Sequence, residues 1–426
     1  LGLVQRRSTT PVVITGLGVV SPIGIGCRVF AQSLQKQASG IAVLDQFDAR
    51  GLPVRLCARV RDFEPKRFVR PRKSLKVMSR DMMFAVAAAW EAWEQARLNQ
   101  VPLEPERVGV VFGADVMCTP LEECVQAYSQ CVDGGEFRLS VWGQRMAQIW
   151  PPLTMLKTLP NMVSCHVSIP LDARGPNNTI HQGEVSSLLA LAEASRVIQR
   201  GWADAMLSGG SCWMQDPFEW VVRCRLEELS PNGPEEPAPR PFDKHRNGQV
   251  RGEGAGAVVL ESLRSAQARR VPVLATVLGY GSSGATGVPG REAHAASLKR
   301  AIQVALRMAG LSPQDVGCIF AQGQGSRLDA AEAQALAELF PDVPVVSLQG
   351  YLGNCSSAAG VLQLVGALVS CAQGWLPPTL YFQQADPQCP VDVVAEPRAW
   401  PARKEVLLCN LNRGGQAAAL LLHLPD

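Results

Sequence analysis

Apolar positions in this chain come in short unbroken runs, and the runs stop at glycine. Val12-Val13-Ile14-Thr15-Gly16-Leu17-Gly18-Val19-Val20 is rich in β-branched residues and closes in Gly-x-Gly, the pattern of a buried strand and a tight turn. Val108-Gly109-Val110-Val111-Phe112-Gly113 predicts a second buried strand, and Ala203 to Gly210 another. Between these, Val77, Met82, Phe84, Ala85 and Ala88 recur at helical spacing. Leu188, Leu189, Ala190, Leu191, Ala192 and Ala194 predict a helix with a small-residue face. From Ala114 to His166 the pattern is irregular, with Trp142, Trp150, Pro151 and Pro152, and Pro231 to Pro239 predicts a surface loop. From Val271 the plan of strand, helix, strand and buried helix starts again. Two such βαβαβ halves, 11–262 and 263–426, make a duplicated α/β chain whose two central sheets sandwich helices.

Composition narrows the class. At 426 residues, 47% apolar and 19% charged, the chain is globular and large enough for an ample core. A net charge of +3 calls for no nucleic-acid partner. The 13 cysteines form no CxxC pair and no Cys/His zinc spacing, so reduced thiols and no metal or cofactor are expected. Leu1 to Thr10 holds Arg6 and Arg7 but no apolar signal core, and the run Val361 to Ala372 is too short to span a bilayer. The expectation is a cytoplasmic protein without a membrane segment.

One stretch organises the chemistry: Gly175-Pro176-Asn177-Asn178-Thr179-Ile180-His181-Gln182-Gly183-Glu184-Val185-Ser186-Ser187. Gly-Pro predicts a turn, and residue 184 falls where a strand gives way to a buried helix. A nucleophile there has its charge stabilised by the helix N-terminus. The segment resembles the nucleophile elbow of β-ketoacyl-ACP synthases of the thiolase superfamily, whose pattern is Gly-Pro-x-x-Ser-Ile-x-Thr-Ala-Cys. The gapless register sets Glu184 on the cysteine. The opening strand resembles the family's Val-Val-Ile-Thr-Gly-Leu-Gly, and Arg240-Pro241-Phe242-Asp243 through Arg251-Gly252-Glu253-Gly254-Ala255-Gly256 resembles a second family signature. The resemblance runs from about Val12 to Leu422. It implies a thiolase-like αβαβα sandwich of five layers, with the insertion 114–166 forming dimer contacts and covering an acyl tunnel.

Decarboxylative condensation needs a thiolate to carry the acyl chain and two neutral imidazoles to stabilise the enolate. The family takes its imidazoles from His-Gly-Thr-x-Thr-Pro-x-Gly-Asp and Lys-x-x-x-Gly-His-x-x-x-Ala-Ala-Gly. Here the matching stretches are Gln322-Gly323-Gln324-Gly325-Ser326-Arg327-Leu328-Asp329 and Gln349-Gly350-Tyr351-Leu352-Gly353-Asn354-Cys355-Ser356-Ser357-Ala358-Ala359-Gly360. Gln322 and Asn354 thus stand for the histidines and Gln349 for the lysine, while Asp329 and Glu332 keep the acidic pair. In Cys409-Asn410-Leu411-Asn412-Arg413-Gly414-Gly415, Leu411 stands for the family's gating phenylalanine and Arg413 for a second aromatic. Among the five histidines (His166, His181, His245, His294, His423) only His181 is close to the elbow, and Cys355 is the one thiol near the site.

The resemblance implies that Glu184 and Arg413 face each other, which leads to the expectation of an ion pair filling the old site. It also implies an acyl carrier protein as partner, docked on the basic residues Lys66, Arg67, Arg70, Arg72 and Lys73. The plain alternative for those residues is the solvated rim of an amphipathic helix. The leading reading is a non-condensing subunit of fatty acid or polyketide biosynthesis. It is similar to chain-length factors and pairs as a homodimer or as a heterodimer with an active ketosynthase. The alternatives are an enzyme of altered chemistry (malonyl decarboxylase, acyltransferase or hydrolase) and an acyl-ACP binding protein.

Overall fold

A computed structural model of the chain describes residues 10–115, 121–150, 152–213, 217–236, 238–286 and 290–425, without the side chains of 121–123 and 147. The N-terminal reading, Thr10 apart, and Cys118 lie outside the described residues.

Two sets of strands carry the molecule. The first is β1 (Val12–Ser21), β2 (Val108–Gly113), β3 (Asn177–Ile180), β4 (Ala205–Cys212) and β5 (Gly254–Ser262), side by side in the order β1-β5-β4-β2-β3. The second is β6 (Ala275–Gly284), β7 (Val316–Ala321), β8 (Pro344–Ser347), β9 (Glu405–Leu411) and β10 (Gln416–His423), in the order β6-β10-β9-β7-β8. In each set the first two joints are antiparallel and the last two parallel. Strand order and direction therefore repeat. The sets join where Val12–Ile14 of β1 runs antiparallel to Ala275–Val277 of β6.

Helices complete the layers: α1 (Arg80–Gln95), α2 (Leu121–Ser129), α3 (Leu139–Ile149), α4 (Met162–Ser168), α5 (Ser186–Gln199), α6 (Pro217–Leu226), α7 (Arg291–Ala309), α8 (Leu328–Leu339) and α9 (Ala359–Cys371). α1 and α4 cover the outer face of the first sheet, and α7, with α8 against it, covers the second. α5 and α9 lie between the sheets, which gives the five layers of the thiolase-like sandwich. A helix enclosed by two sheets must be apolar or small all round, and α9 is buried without a break from Ala359 to Leu368.

The outer helices rest directly on strand glycines. A Cβ on Gly18 of β1 would meet the Ala88 carbonyl oxygen of α1 at 1.9 Å, and one on Gly281 of β6 would meet that of Ala301 in α7 at 2.1 Å. Each strand also shifts register just before its first such glycine, between Ile14 and Gly16 and between Val277 and Gly279. The two halves repeat their packing as well as their topology.

Two expectations change. The stretch 114–166, irregular in sequence, contains α2, α3 and most of α4. Tyr128 and Trp142 stack at 4.8 Å and Trp142 meets Trp150 edge-on at 5.6 Å. These aromatics pack on one another instead of on the central core, so no single apolar face is visible in the sequence. The basic residues do not rim an amphipathic helix either. Lys66 and Arg67 lie on a short turn at Pro65–Arg67, which a proline opens, and Arg72 and Lys73 on another at Arg72–Val77, which Pro71 precedes. α1 begins only at Arg80 and is enclosed from Phe84 to Ala89.

Candidate active site

The elbow is built where the sheet ends. β3 lies parallel to β2, the chain leaves it at Ile180, and Gly183 turns with a φ of +57°. The Ser186 hydroxyl accepts the Gln182 N–H at 2.8 Å and donates to the Gly183 carbonyl at 2.6 Å, closing the turn that launches α5. Glu184 sits in that turn, two residues ahead of the helix.

The Glu184 carboxyl is held by an amide. Asn354 Nδ2 donates to Oε1 at 3.2 Å and also to Gln249 Oε1. Gln249 Nε2 donates to Glu227 Oε2 at 3.0 Å. Glu227 is gripped by Arg223 at 2.7 Å and Arg251 at 3.2 Å, and Arg223 reaches Glu219 at 3.1 Å and Asp115 at 3.6 Å. Glu184 is half-buried as a residue, yet burial is the largest effect on its carboxyl and raises it above the usual carboxylate range. The Glu227 charge adds to the rise, while Arg251 and the Asn354 bond oppose it. Burial likewise pushes Glu219 up to about 7.

Of these groups, Glu184, Gln249, Glu227, Arg223 and Asp115 open onto a cleft of about 500 Å³. Its wall holds the carboxyls of Asp115, Glu184, Glu227 and Glu228, the guanidiniums of Arg223 and Arg413, and the amides of Gln182, Gln249, Gln324, Asn412 and Gln416. Among the described residues, Leu226 and Leu328 are its only aliphatic side chains. Such a wall suits a ligand rich in hydrogen-bonding groups far better than an alkyl chain. Among the described residues no group of three or more His, Cys, Asp or Glu side chains is spaced to hold a metal ion. Nor, among them, is any helix long and apolar enough to cross a membrane.

Comparison with known proteins places this architecture. Residues 9–266 match the Beta-ketoacyl synthase N-terminal domain and residues 274–383 its C-terminal domain. The chain belongs to the β-ketoacyl synthase family. It is 32% identical to the 3-oxoacyl-[acyl-carrier-protein] synthase 2 of Coxiella burnetii over 96% of this chain and 98% of that one. The Staphylococcus aureus (strain COL) protein of the same name is 31% identical over 90% and 91%. A solved structure described as the ishigamide ketosynthase/chain length factor superposes with a TM-score of 0.84 at 27% identity, covering 98% of this chain and 100% of that one.

Within this β-ketoacyl synthase family member the residues singled out in sequence part into two groups. Glu184 and Arg413 reach the cleft wall, His181 is exposed there, and Asn354 is buried against Glu184. Gln322, Gln349, Cys355 and Leu411 are buried away from it. Gln322 Oε1 accepts the Leu411 N–H at 2.9 Å, and Gln324, two residues on, takes the place on the wall. Gln349 and Cys355 border a void of about 10 Å³ behind the site. The Cys355 thiol donates to the Leu352 and Glu253 carbonyls at 3.5 and 3.6 Å, as a packed thiol does. Asp329 and Glu332 hold the Gln322–Gly325 turn by accepting its backbone N–H groups at 2.8–2.9 Å.

The expected Glu184–Arg413 ion pair does not form. Arg413 lies on the exposed turn between β9 and β10 and donates to the Leu226 carbonyl at the end of α6. The cation that acts on Glu184 is Arg251. Arg251, Glu227, Arg223 and Gln249 were missed in sequence although two signals exist. Glu219, Arg223 and Glu227 recur every fourth residue, which puts them on one helix face, and Arg251 is a charge inside a glycine-rich apolar run.

Proposed function

We propose that this chain is a non-condensing subunit that works beside an active ketosynthase in fatty acid or polyketide synthesis, in the manner of a chain-length factor. Glu184 carries the reading. At the elbow, where thioester formation needs a thiol, stands a carboxyl tied to an amide. The positions that supply imidazoles in the family hold Gln322, bonded to a strand N–H, and Asn354, bonded to Glu184 and Gln249. The Asn354 amino group is already committed to those two oxygens, and Gln322 Nε2, which has no partner among the described residues, is buried off the cleft wall, so the donor pair that an enolate needs is not presented there. The charged cleft wall and the buried, carbonyl-bound Cys355 support the same reading, as does likeness to a ketosynthase/chain length factor structure.

In this reading the halves are 11–262 and 263–426, and the insertion 114–166 meets the partner. Leu139, Leu153 and Met155, all exposed, supply apolar surface for that contact. Lys66, Arg67, Arg70, Arg72 and Lys73 are also exposed and form the face for an acidic acyl carrier protein. The raised Glu184 carboxyl favours a second reading, a proton-donating enzyme of altered chemistry. The test is chain elongation from malonyl-carrier by the purified protein alone, by a Cys-His-His ketosynthase alone, and by the two co-expressed. Elongation only in the co-expressed pair, with chain length altered by substitutions in this chain, is the expected result. Elongation by this protein alone would overturn the proposal.

A further inference from the structure

Two carboxyl groups stand at the ends of one string of amides. Glu227 takes hydrogen bonds from two guanidiniums, Arg223 at 2.7 Å and Arg251 at 3.2 Å, groups that have donors only, so it stands there as an acceptor. Gln249 therefore turns its Nε2–H toward Glu227, at 3.0 Å, which leaves its Oε1 toward Asn354. That oxygen also only accepts, so Asn354 must present its amino end. The second hydrogen on the same nitrogen goes to Glu184 at 3.2 Å, and Asn354 Oδ1 takes the Ser356 backbone N–H at 2.9 Å. Turning either amide over would set acceptor against acceptor.

We propose that Gln249 is a positioning residue: it carries the polarity of the buried Arg223–Glu227–Arg251 ion pairs across to Glu184, so that the elbow carboxyl always meets a donor. Its backbone is fixed for the task, with N–H on the Glu228 carbonyl and its own carbonyl on the Ser230 N–H, both at 2.9 Å. Gln249 borders the cleft but is only 5% exposed, so its amide is largely shielded from water. The inference concerns hydrogen bonds within the chain and stands whether or not the protein condenses.

A donor facing Glu184 favours its ionised form against burial, so the relay sets how readily the elbow gives up its proton. The other titratable or charged groups around Glu184 are Glu227 and Glu228 after α6, Arg223 on α6, Arg251 ahead of β5, Asp115 after β2, and Arg413 and His181 at the cleft wall.

The experiment is an NMR titration of protein labelled with carboxyl-¹³C glutamate, the Glu184 resonance assigned by its loss in Glu184→Gln. Gln249→Met replaces the amide with a side chain of similar length that makes no such bonds. The Glu184 midpoint then moves upward, in a protein whose thermal melt still shows it folded. Gln249→Asn keeps an amide but falls one methylene short, and moves the midpoint the same way. In the unmutated protein the Gln249 and Asn354 side-chain amide protons exchange slowly with solvent. A Gln249 that is merely structural would lower the melting temperature and leave the midpoint where it was. That result, or fast-exchanging amides in the unmutated protein, overturns the proposal.

Discussion

Glu184 binds its proton more tightly in the folded chain than in the unfolded one, because burial raises its carboxyl from 4.5. By linkage, the stability it contributes is fully present below about pH 4.5 and is lost as pH rises through the folded value. Glu184→Gln keeps an acceptor for Asn354 and cannot ionise, so its stability relative to the parent grows as pH rises over that window. Urea unfolding at a series of pH values measures the difference. Arg413→Ala is expected to change stability by no more than about 1 kcal/mol, since its guanidinium is exposed and bonded to a single carbonyl. Arg251→Leu strips one of two cations from buried Glu227 and is expected to cost about 3–5 kcal/mol in the same assay. The place of Glu184 was legible because a gapless register runs from Gly175 into a buried helix. Its partner was not, because facing positions in a motif do not say which way a long side chain turns.

At the scale of elements, the seating of helix on strand is the most exacting feature. Gly18→Ala drives a methyl into the Ala88 carbonyl, and Gly281→Ala does the same to Ala301. Each is expected to destabilise by about 1–3 kcal/mol or more, by thermal or denaturant melts. This repeat was open to view: Ile14-Thr15-Gly16-Leu17-Gly18 and Val277-Leu278-Gly279-Tyr280-Gly281 share their glycine spacing and their register shift. The strands were readable because a strand buried on both faces shows as an unbroken apolar run. α2 and α3 were not, because their aromatics satisfy one another. Prolines likewise turned the basic segment into short turns that no helical period describes.

At the scale of the whole molecule, the strand order of one half reproduces that of the other, and the site falls where the helices between the two sheets begin. The charge of the cleft could not be read along the chain, since Asp115, Glu184 and the Arg223–Glu227 pair come together only through the fold. The exposed basic turns face outward as a separate surface. On the proposed docking of an acidic carrier protein there, reversing Lys66 and Arg70 to glutamate is expected to weaken binding about tenfold at low salt, with a smaller loss as salt rises. On the proposed reading the elbow of this β-ketoacyl synthase family member carries no acyl chain. Intact mass of the purified protein after incubation with acyl-carrier and malonyl-carrier, with released carbon dioxide followed in the same tubes, tests it most directly. The lone protein is expected to keep its mass and to release no carbon dioxide. An acyl adduct on it, at Cys355 or any other residue, or steady decarboxylation abolished by Glu184→Gln, would contradict it.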